Sequence, residues 1–153
     1  MPKEKPDRDR DVDRRILEVV TNDASISSVE LGKLVGLSST AANDRLRRLK
    51  ADGTILKTVA VIDPMKFSMD FLSFVRLKVV GTDKQSIVDR LEKISAIEEV
   101  HSIAGQFSLM LKVRTTNADA MEGIFEQIYD IPEILGSETD IAFRTYIDRP
   151  PQL

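Results

Sequence analysis

The sequence predicts an α+β chain: a three-helix helix-turn-helix unit followed by a ferredoxin-like β-α-β-β-α-β domain. Three observations predict it. Residues 26–55, ISSVELGKLVGLSSTAANDRLRRLKADGTI, read as two short helices around a tight turn, with four basic residues in the six from Arg45 to Lys50. Downstream, strand-like alternation and helix-like spacing follow one another in the order strand, helix, strand, strand, helix, strand. Between these regions, Asp52-Gly53 and Asp63-Pro64 interrupt the chain.

The chain has 153 residues, of which 42% are hydrophobic and 31% charged, a balance able to bury a core in water. No apolar run reaches the ~18 residues of a membrane helix. The N-terminal MPKEKPDRDRD lacks the apolar centre of a secretion signal. There are no cysteines, which excludes disulfides and thiolate metal sites. A cytoplasmic location fits these features. The net charge of −3 argues against nucleic acid until its distribution is considered. Residues 1–63 carry twelve basic and eleven acidic side chains, against ten and fourteen in the remainder. The basic residues of the first part cluster on one helix, and a local patch matters more for DNA than the total.

Residues 1–10 alternate charge with proline and read as a disordered arm. The first helix starts with Asp11 as N-cap and carries Val12, Ile16, Leu17 and Val20 as its apolar stripe. Ser27-Ser28-Val29-Glu30 is a capping box opening the second helix. Leu31, Leu34 and Val35 form its core face. Gly36 permits the sharp turn, and Leu37 plugs the corner. Ser38 caps the third helix, whose Ala42, Leu46 and Leu49 face inward. At about 100° per residue, Thr40, Asp44, Arg47 and Arg48 face outward, flanked by Asn43. Arg45 lies toward the core flank, where it braces the fold. In helix-turn-helix proteins the second motif helix enters the major groove. Ser39, Thr40, Asn43, Asp44, Arg47 and Arg48 are therefore the DNA-contacting candidates. Thr40 and Asn43 suit base edges; Arg47 and Arg48 suit phosphates or guanine. Asp44 accepts from a cytosine amine or pairs with Arg47 or Arg48. Double-stranded DNA is the first partner these residues imply. The plainer reading of RLRRLK is a solvated helix face.

Residues 11–54 thus form the helix-turn-helix domain, and 55–68 a linker with a strand over Ile55 to Ile62. Residues 69–150 form the ferredoxin-like domain. Its first strand runs from Phe71 to Val80, with Phe71, Val75, Leu77 and Val79 on one face and Ser73 between them. The mixed opposite face suggests cover by a partner subunit. A helix over Lys84 to Ile94 follows, then strands over Ile97 to Ala104 and Phe107 to Arg114. A helix over Ala118 to Tyr129 buries Met121, Phe125, Ile128 and Tyr129. The last strand spans about Thr139 to Ile147.

Catalytic groups are scarce. His101, the single histidine, reads as a half-buried strand residue without an orienting partner. Glu98-Glu99 and Asp7/Asp9 read as solvated charge; Met65, Met69, Met110 and Met121 read as core filler. No phosphate loop or nucleophile motif appears, and no cofactor is implied. The turn Ala104-Gly105-Gln106-Phe107-Ser108 is either an ordinary turn or a site, since glycine admits close approach of a ligand.

With DRRILEVV, the helix-turn-helix stretch, AVIDPMKF and IEEVHSIAGQFSLMLKV in place, the chain resembles the Lrp/AsnC transcription regulators of bacteria and archaea over Val12 to Ile147. The resemblance implies a winged-type DNA-binding domain and a C-terminal effector-binding and oligomerisation domain. It also implies homodimers paired through their sheets, assemblies such as octamers, a nucleoid-associated location, and an amino acid or related effector bound between dimers. Carried onto this chain, the effector residues are Gly105, Gln106, Phe107, Ser108 and Thr139. The family often has aspartates where Gln106 and Ser108 stand here, and a neutral amide and hydroxyl hold an ammonium less strongly. Two alternatives share the scaffold: a sirohaem-decarboxylase-like enzyme, for which one histidine is few, and a ligand sensor that does not bind DNA.

Overall fold

A computed structural model describes residues 7–153, with the side chains of residues 7 and 8 left out. The chain divides into two compact units. One holds the residues up to Val61 together with Ile147–Leu153; the other is Ile62–Tyr146.

The first unit contains α1 (Asp7–Asn22), α2 (Ser28–Val35) and α3 (Ser39–Ala51). Helix α1 starts ahead of the expected Asp11. Residues 1–6 of the expected arm lie outside the described residues, and residues 7–10 are helical. The reason is tertiary. Asp9 and Asp13, one turn apart, both pair with Arg45 of α3 and hold the opening turns in helical register. Acidic side chains near a helix N-terminus also complement its dipole. Ile16, Leu31, Val35, Ala42 and Leu49 form the buried core, and Val12, Leu17, Val20, Leu37 and Leu46 pack around it.

The local signals in the motif behave as their chemistry demands. The Ser27 hydroxyl accepts from the Glu30 amide, and the Glu30 carboxylate accepts from the Ser27 amide, closing the capping box. Gly36 adopts φ 72°, a left-handed turn that a Cβ would strain. The Ser38 hydroxyl accepts from the Ala41 amide and caps α3. Leu34, expected in the core, is 63% exposed. The inward face of α2 runs through Leu31, Val35 and the buried Gly32, which lies against the turn into α3. On a helix this centres the face about 100° away from Leu34.

No strand forms over residues 55–62. Ile55 is half-buried and its amide donates to the Leu49 carbonyl, but Leu56, Val59, Val61 and Ile62 are exposed. Extended, β-prone sequence becomes a strand only when a ladder partner takes its backbone groups. A 3-10 turn over Pro64–Phe67 follows, capped by Asp63, and it leaves Met65 exposed rather than in a core.

The second unit is a four-stranded antiparallel sheet with α4 (Lys84–Leu91) and α5 (Ala118–Tyr129) on one face. Its strands are β1 (Phe71–Val79), β2 (Ile97–Ser102), β3 (Leu109–Thr115) and β4 (Ile134–Ala142), in the order β2-β3-β1-β4. That order and the β-α-β-β-α-β succession are the ferredoxin-like arrangement. Val75, Leu77, Leu111, Val113, Ile87, Leu91, Met121 and Ile128 fill the space between sheet and helices. Ser73 lies fully buried among them.

Several elements differ from expectation: α4 ends at Leu91 rather than Ile94, and β2 at Ser102 rather than Ala104. Strand β4 begins at Ile134, five residues before Thr139, because buried Ile134 pairs with Val79 directly after the Pro132 turn. It stops at Ala142, opposite Leu72, beside the start of β1. Phe107 precedes β3 rather than belonging to it. Tyr129 is half exposed; its hydroxyl hydrogen-bonds Ser137 Oγ at 2.7 Å, and its ring stacks on Phe125.

The sheet's other face is laced with charge. Lys112 reaches Glu98 at 3.3 Å and Glu99 at 2.9 Å, Arg114 pairs with Glu98, and His101 Nε2 lies 2.8 Å from Glu99. Glu98 and Glu99 are thus cross-strand ion-pair partners rather than free solvated charge, and His101 is exposed rather than half-buried. The register slips between Ile97 and Glu99. Such a bulge sets two residues against one and turns both carboxylates toward Lys112.

Candidate DNA interface and effector turn

Helix α3 is held by its inward residues, so its outward side chains have defined positions. Ser39, Thr40, Asp44, Arg47 and Arg48 are exposed, and Asn43 is half-buried beside them. Thr40, Asn43, Asp44 and Arg47 lie within about 100° of arc on the helix surface. Arg47 has no ion-pair partner among the described residues. This face offers hydroxyl, amide, carboxylate and guanidinium groups above a rigid support, the chemistry that reads base edges and grips phosphates.

Arg48 and Arg45 sit on the flank facing α1. Arg45 donates through Nη1 to Asp13 at 2.9 Å and through Nη2 to Asp9, and these carboxylates hold its guanidinium firmly charged. Arg48 donates through Nη2 to both Asp13 oxygens, at 3.2 and 3.1 Å. Asp13 is only 6% exposed. A carboxylate that buried is tolerable only when paired and hydrogen-bonded. Arg45 therefore braces the fold, and Arg48 is tied to α1 rather than to Asp44. Residue spacing could not single out Asp13, because its partners lie more than thirty positions away.

In the second unit, Gly105 adopts φ 130° and is exposed along with Gln106. A Cβ there would meet nothing within 4 Å, so glycine serves the backbone conformation rather than tight packing. The Ser108 amide donates to the Leu77 carbonyl at 2.9 Å and its carbonyl accepts from Ile103, which closes the turn against β1. The Phe107 ring lies on the open sheet face under the Arg76 guanidinium, 5.3 Å from the ring centre. Arg76 is anchored in turn by Glu138 at 3.1 Å and Asp140 at 3.0 Å. Gly105, Gln106, Phe107 and Ser108 thus form one local group. Thr139 does not join it. It pairs with Val75, so its side chain lies on the helix side of the sheet, on strand β4. Two strand spacings, roughly 10 Å, separate it from the β3 end of the turn. No group of three or more acidic, histidine or cysteine residues suited to a metal occurs among the described residues.

Two family models match the chain: a winged helix-turn-helix DNA-binding domain over residues 9–55 and the Lrp/AsnC ligand binding domain over residues 72–152. The chain belongs to the Lrp/AsnC family. It is a DNA-binding transcriptional regulator of the Lrp/AsnC type. It is 31% identical over 146 residues to the leucine-responsive regulatory protein of Escherichia coli, covering 92% of this chain and 88% of that one. It is 29% identical over 136 residues to the HTH-type transcriptional regulator FL11 of Pyrococcus horikoshii, covering 89% and 90%. The fold superposes with a TM-score of 0.86, at 28% identity, on the feast or famine regulatory protein of M. tuberculosis solved with L-methionine; 94% of this chain and 98% of that chain are covered. Both Lrp/AsnC domains are therefore present in order, and no helix among the described residues is long and apolar enough to cross a membrane.

Proposed function

We propose that this regulator binds operator DNA through α3, as a homodimer or larger assembly, and that a small amino-acid-like effector bound at the Gly105–Ser108 turn modulates it. The observation that carries the DNA contact is the outward face of α3. In this reading the short polar Thr40, Asn43 and Asp44 of that exposed face approach bases, and Arg47 and Arg48 meet phosphate. Ser39, at the capped N-terminus of α3, adds a hydroxyl and a backbone amide. Pairing of copies is supported by the exposed apolar side chains of Leu56, Val59, Val61 and Ile62 and by the open sheet face.

The effector reading rests on the exposed Gly105 and Gln106 beside the rigid Phe107–Arg76 pair. A single chain leaves this turn open, so a ligand there would be enclosed by a second copy. Thr139 enters the site only through such a copy. Gln106 and Ser108 supply neutral acceptors for an ammonium group. His101, exposed and held by Glu99, lends no support to a tetrapyrrole enzyme. The working location is the nucleoid, within the cytoplasm.

A mobility-shift titration on the DNA upstream of the protein's own gene tests the DNA contact. The wild type retards this duplex at moderate salt, and Arg47→Ala/Arg48→Ala weakens binding across sequences and flattens its salt dependence by about two phosphates' worth. Retardation that is unchanged in the double variant would sink the assignment of α3. For the effector, a thermal-shift screen of amino acids including L-methionine is decisive. A ligand at about 100 times its Kd stabilises by about 2.7 kcal/mol, and Gly105→Thr abolishes the shift. A ligand whose shift survives Gly105→Thr binds elsewhere.

A further inference from the structure

We propose that Asp13, a residue of α1 and not of the reading helix, is a positioning residue for DNA binding. It holds the Arg48 guanidinium by one nitrogen and leaves the opposite edge to a phosphate. The inference rests on the DNA-binding reading of α3.

The two arginines on the carboxylate are used differently. Arg45 commits both terminal nitrogens to Asp9 and Asp13, and its side chain is 21% exposed. Arg48 commits Nη2 alone, and its side chain is 46% exposed. Its Nε and Nη1 have no partner among the described residues. A guanidinium is a planar fork of five donors, so one edge can rest on a carboxylate while another meets an anion. Asp13 is buried and sits on a helix packed in the same core, so it is a fixed point. An arginine tethered to a fixed point has already lost most of the rotamer freedom that a free arginine loses on binding. Phosphate contacts set the register of a reader on the duplex, so a pre-set Arg48 also aims Thr40 and Asn43.

The sign of one substitution separates this idea from simple electrostatics. Asp13→Asn removes a negative charge from a DNA-binding face, and by long-range Coulomb attraction alone it strengthens binding. Positioning demands the opposite. The experiment is a fluorescence-anisotropy titration across salt, with the full chain on a duplex retarded by the wild type. Asp13→Asn is expected to weaken binding roughly threefold to tenfold, the range for freeing one rotamer-rich side chain. It also lowers the salt slope by about one phosphate contact. Adding Arg48→Ala to Asp13→Asn costs no more than Arg48→Ala alone. A brace that merely stabilised the fold would lower the melting temperature and leave slope and coupling untouched. Arg48→Lys, at a half-exposed position, serves if Asp13→Asn does not fold. An ammonium keeps the charge but lacks the planar fork that rests one edge on a carboxylate and offers another to a phosphate, so Arg48→Lys binds more weakly than the wild type. Equal or tighter binding by folded Asp13→Asn, additivity of the two variants, or wild-type affinity in Arg48→Lys overturns the inference alone. A wild type that binds no duplex overturns the parent reading and this inference with it.

Discussion

Gly32 illustrates what a single residue decides. It lies in the middle of α2, where glycine weakens a helix relative to alanine by roughly 0.5–1 kcal/mol. A Cβ added there would lie 2.7 Å from the Leu37 carbonyl oxygen, a backbone atom that cannot step aside. Close approach therefore outweighs helix propensity, and Gly32→Ala destabilises the first unit by roughly 1–3 kcal/mol. Urea unfolding followed by helical circular dichroism measures this. Gly123→Ala is the control. It is also within a helix but has nothing within 4 Å of an added Cβ, so it stabilises by roughly 0.5–1 kcal/mol. Two variants of equal stability would contradict the packing account. The same contact explains Leu34: a helix face is chosen by what packs against it, and Gly32 draws α2 onto the turn.

At the scale of elements, the bulge in β2 shows how pairing creates charge networks. Glu99 is held below the usual carboxylate range, first by its hydrogen bond with His101 and then by Lys112. Lys112 is held above its ordinary value by Glu99 and Glu98, against an opposing effect of burial. A depressed acid contributes stability that is complete above its unfolded value of 4.5 and is lost as pH falls through its lower folded value. A raised base contributes stability that is complete below 10.5 and is lost as pH climbs through its higher folded value. The Glu99–Lys112 pair is thus fully formed between these limits. A carboxyl-carbon NMR titration places the Glu99 midpoint below 4.5, and Lys112→Met moves it upward. A midpoint that ignores Lys112→Met would separate the two groups. Strand alternation made β1 legible, helical spacing made α5 legible, and together they made the succession of elements legible. The bulge, the early start of β4 and the absence of a strand over residues 55–62 were not, because each depends on which backbone lies opposite.

At the scale of the whole molecule, each unit has its own core, and Leu56, Val59 and Val61 of the first unit and Ile62 of the second are exposed. Val61 is 94% exposed, so Val61→Asp changes the stability of an isolated chain by no more than about 0.5 kcal/mol. If this segment pairs with a second copy, as proposed, the same change lowers the sedimentation coefficient at micromolar concentration. An unaltered assembly would remove this segment from the interface. The outward arc of α3 was legible in the sequence, because the helix carries its core and polar residues on opposite arcs. The turn at Gly105–Ser108 was legible as one local group, because neighbours in sequence there remain neighbours in space. Thr139 was not, since a register of pairing sets its face.

What the amino-acid order determined by itself is everything that acts within a few residues. Ser27, Ser38 and Gly36 cap and turn the motif through hydrogen bonds and dihedral preferences that need no distant partner. The periods of apolar residues set the type and succession of the elements. Only the tertiary structure decided that Asp9 and Asp13 lengthen and brace α1, that Asp13 holds both Arg45 and Arg48, that Glu98 and Glu99 share a lysine, and that Phe107 lies under Arg76. Those outcomes come from charges and rings brought together across tens of residues. Their energies depend on burial and on which partner arrives, and neither is written in local spacing.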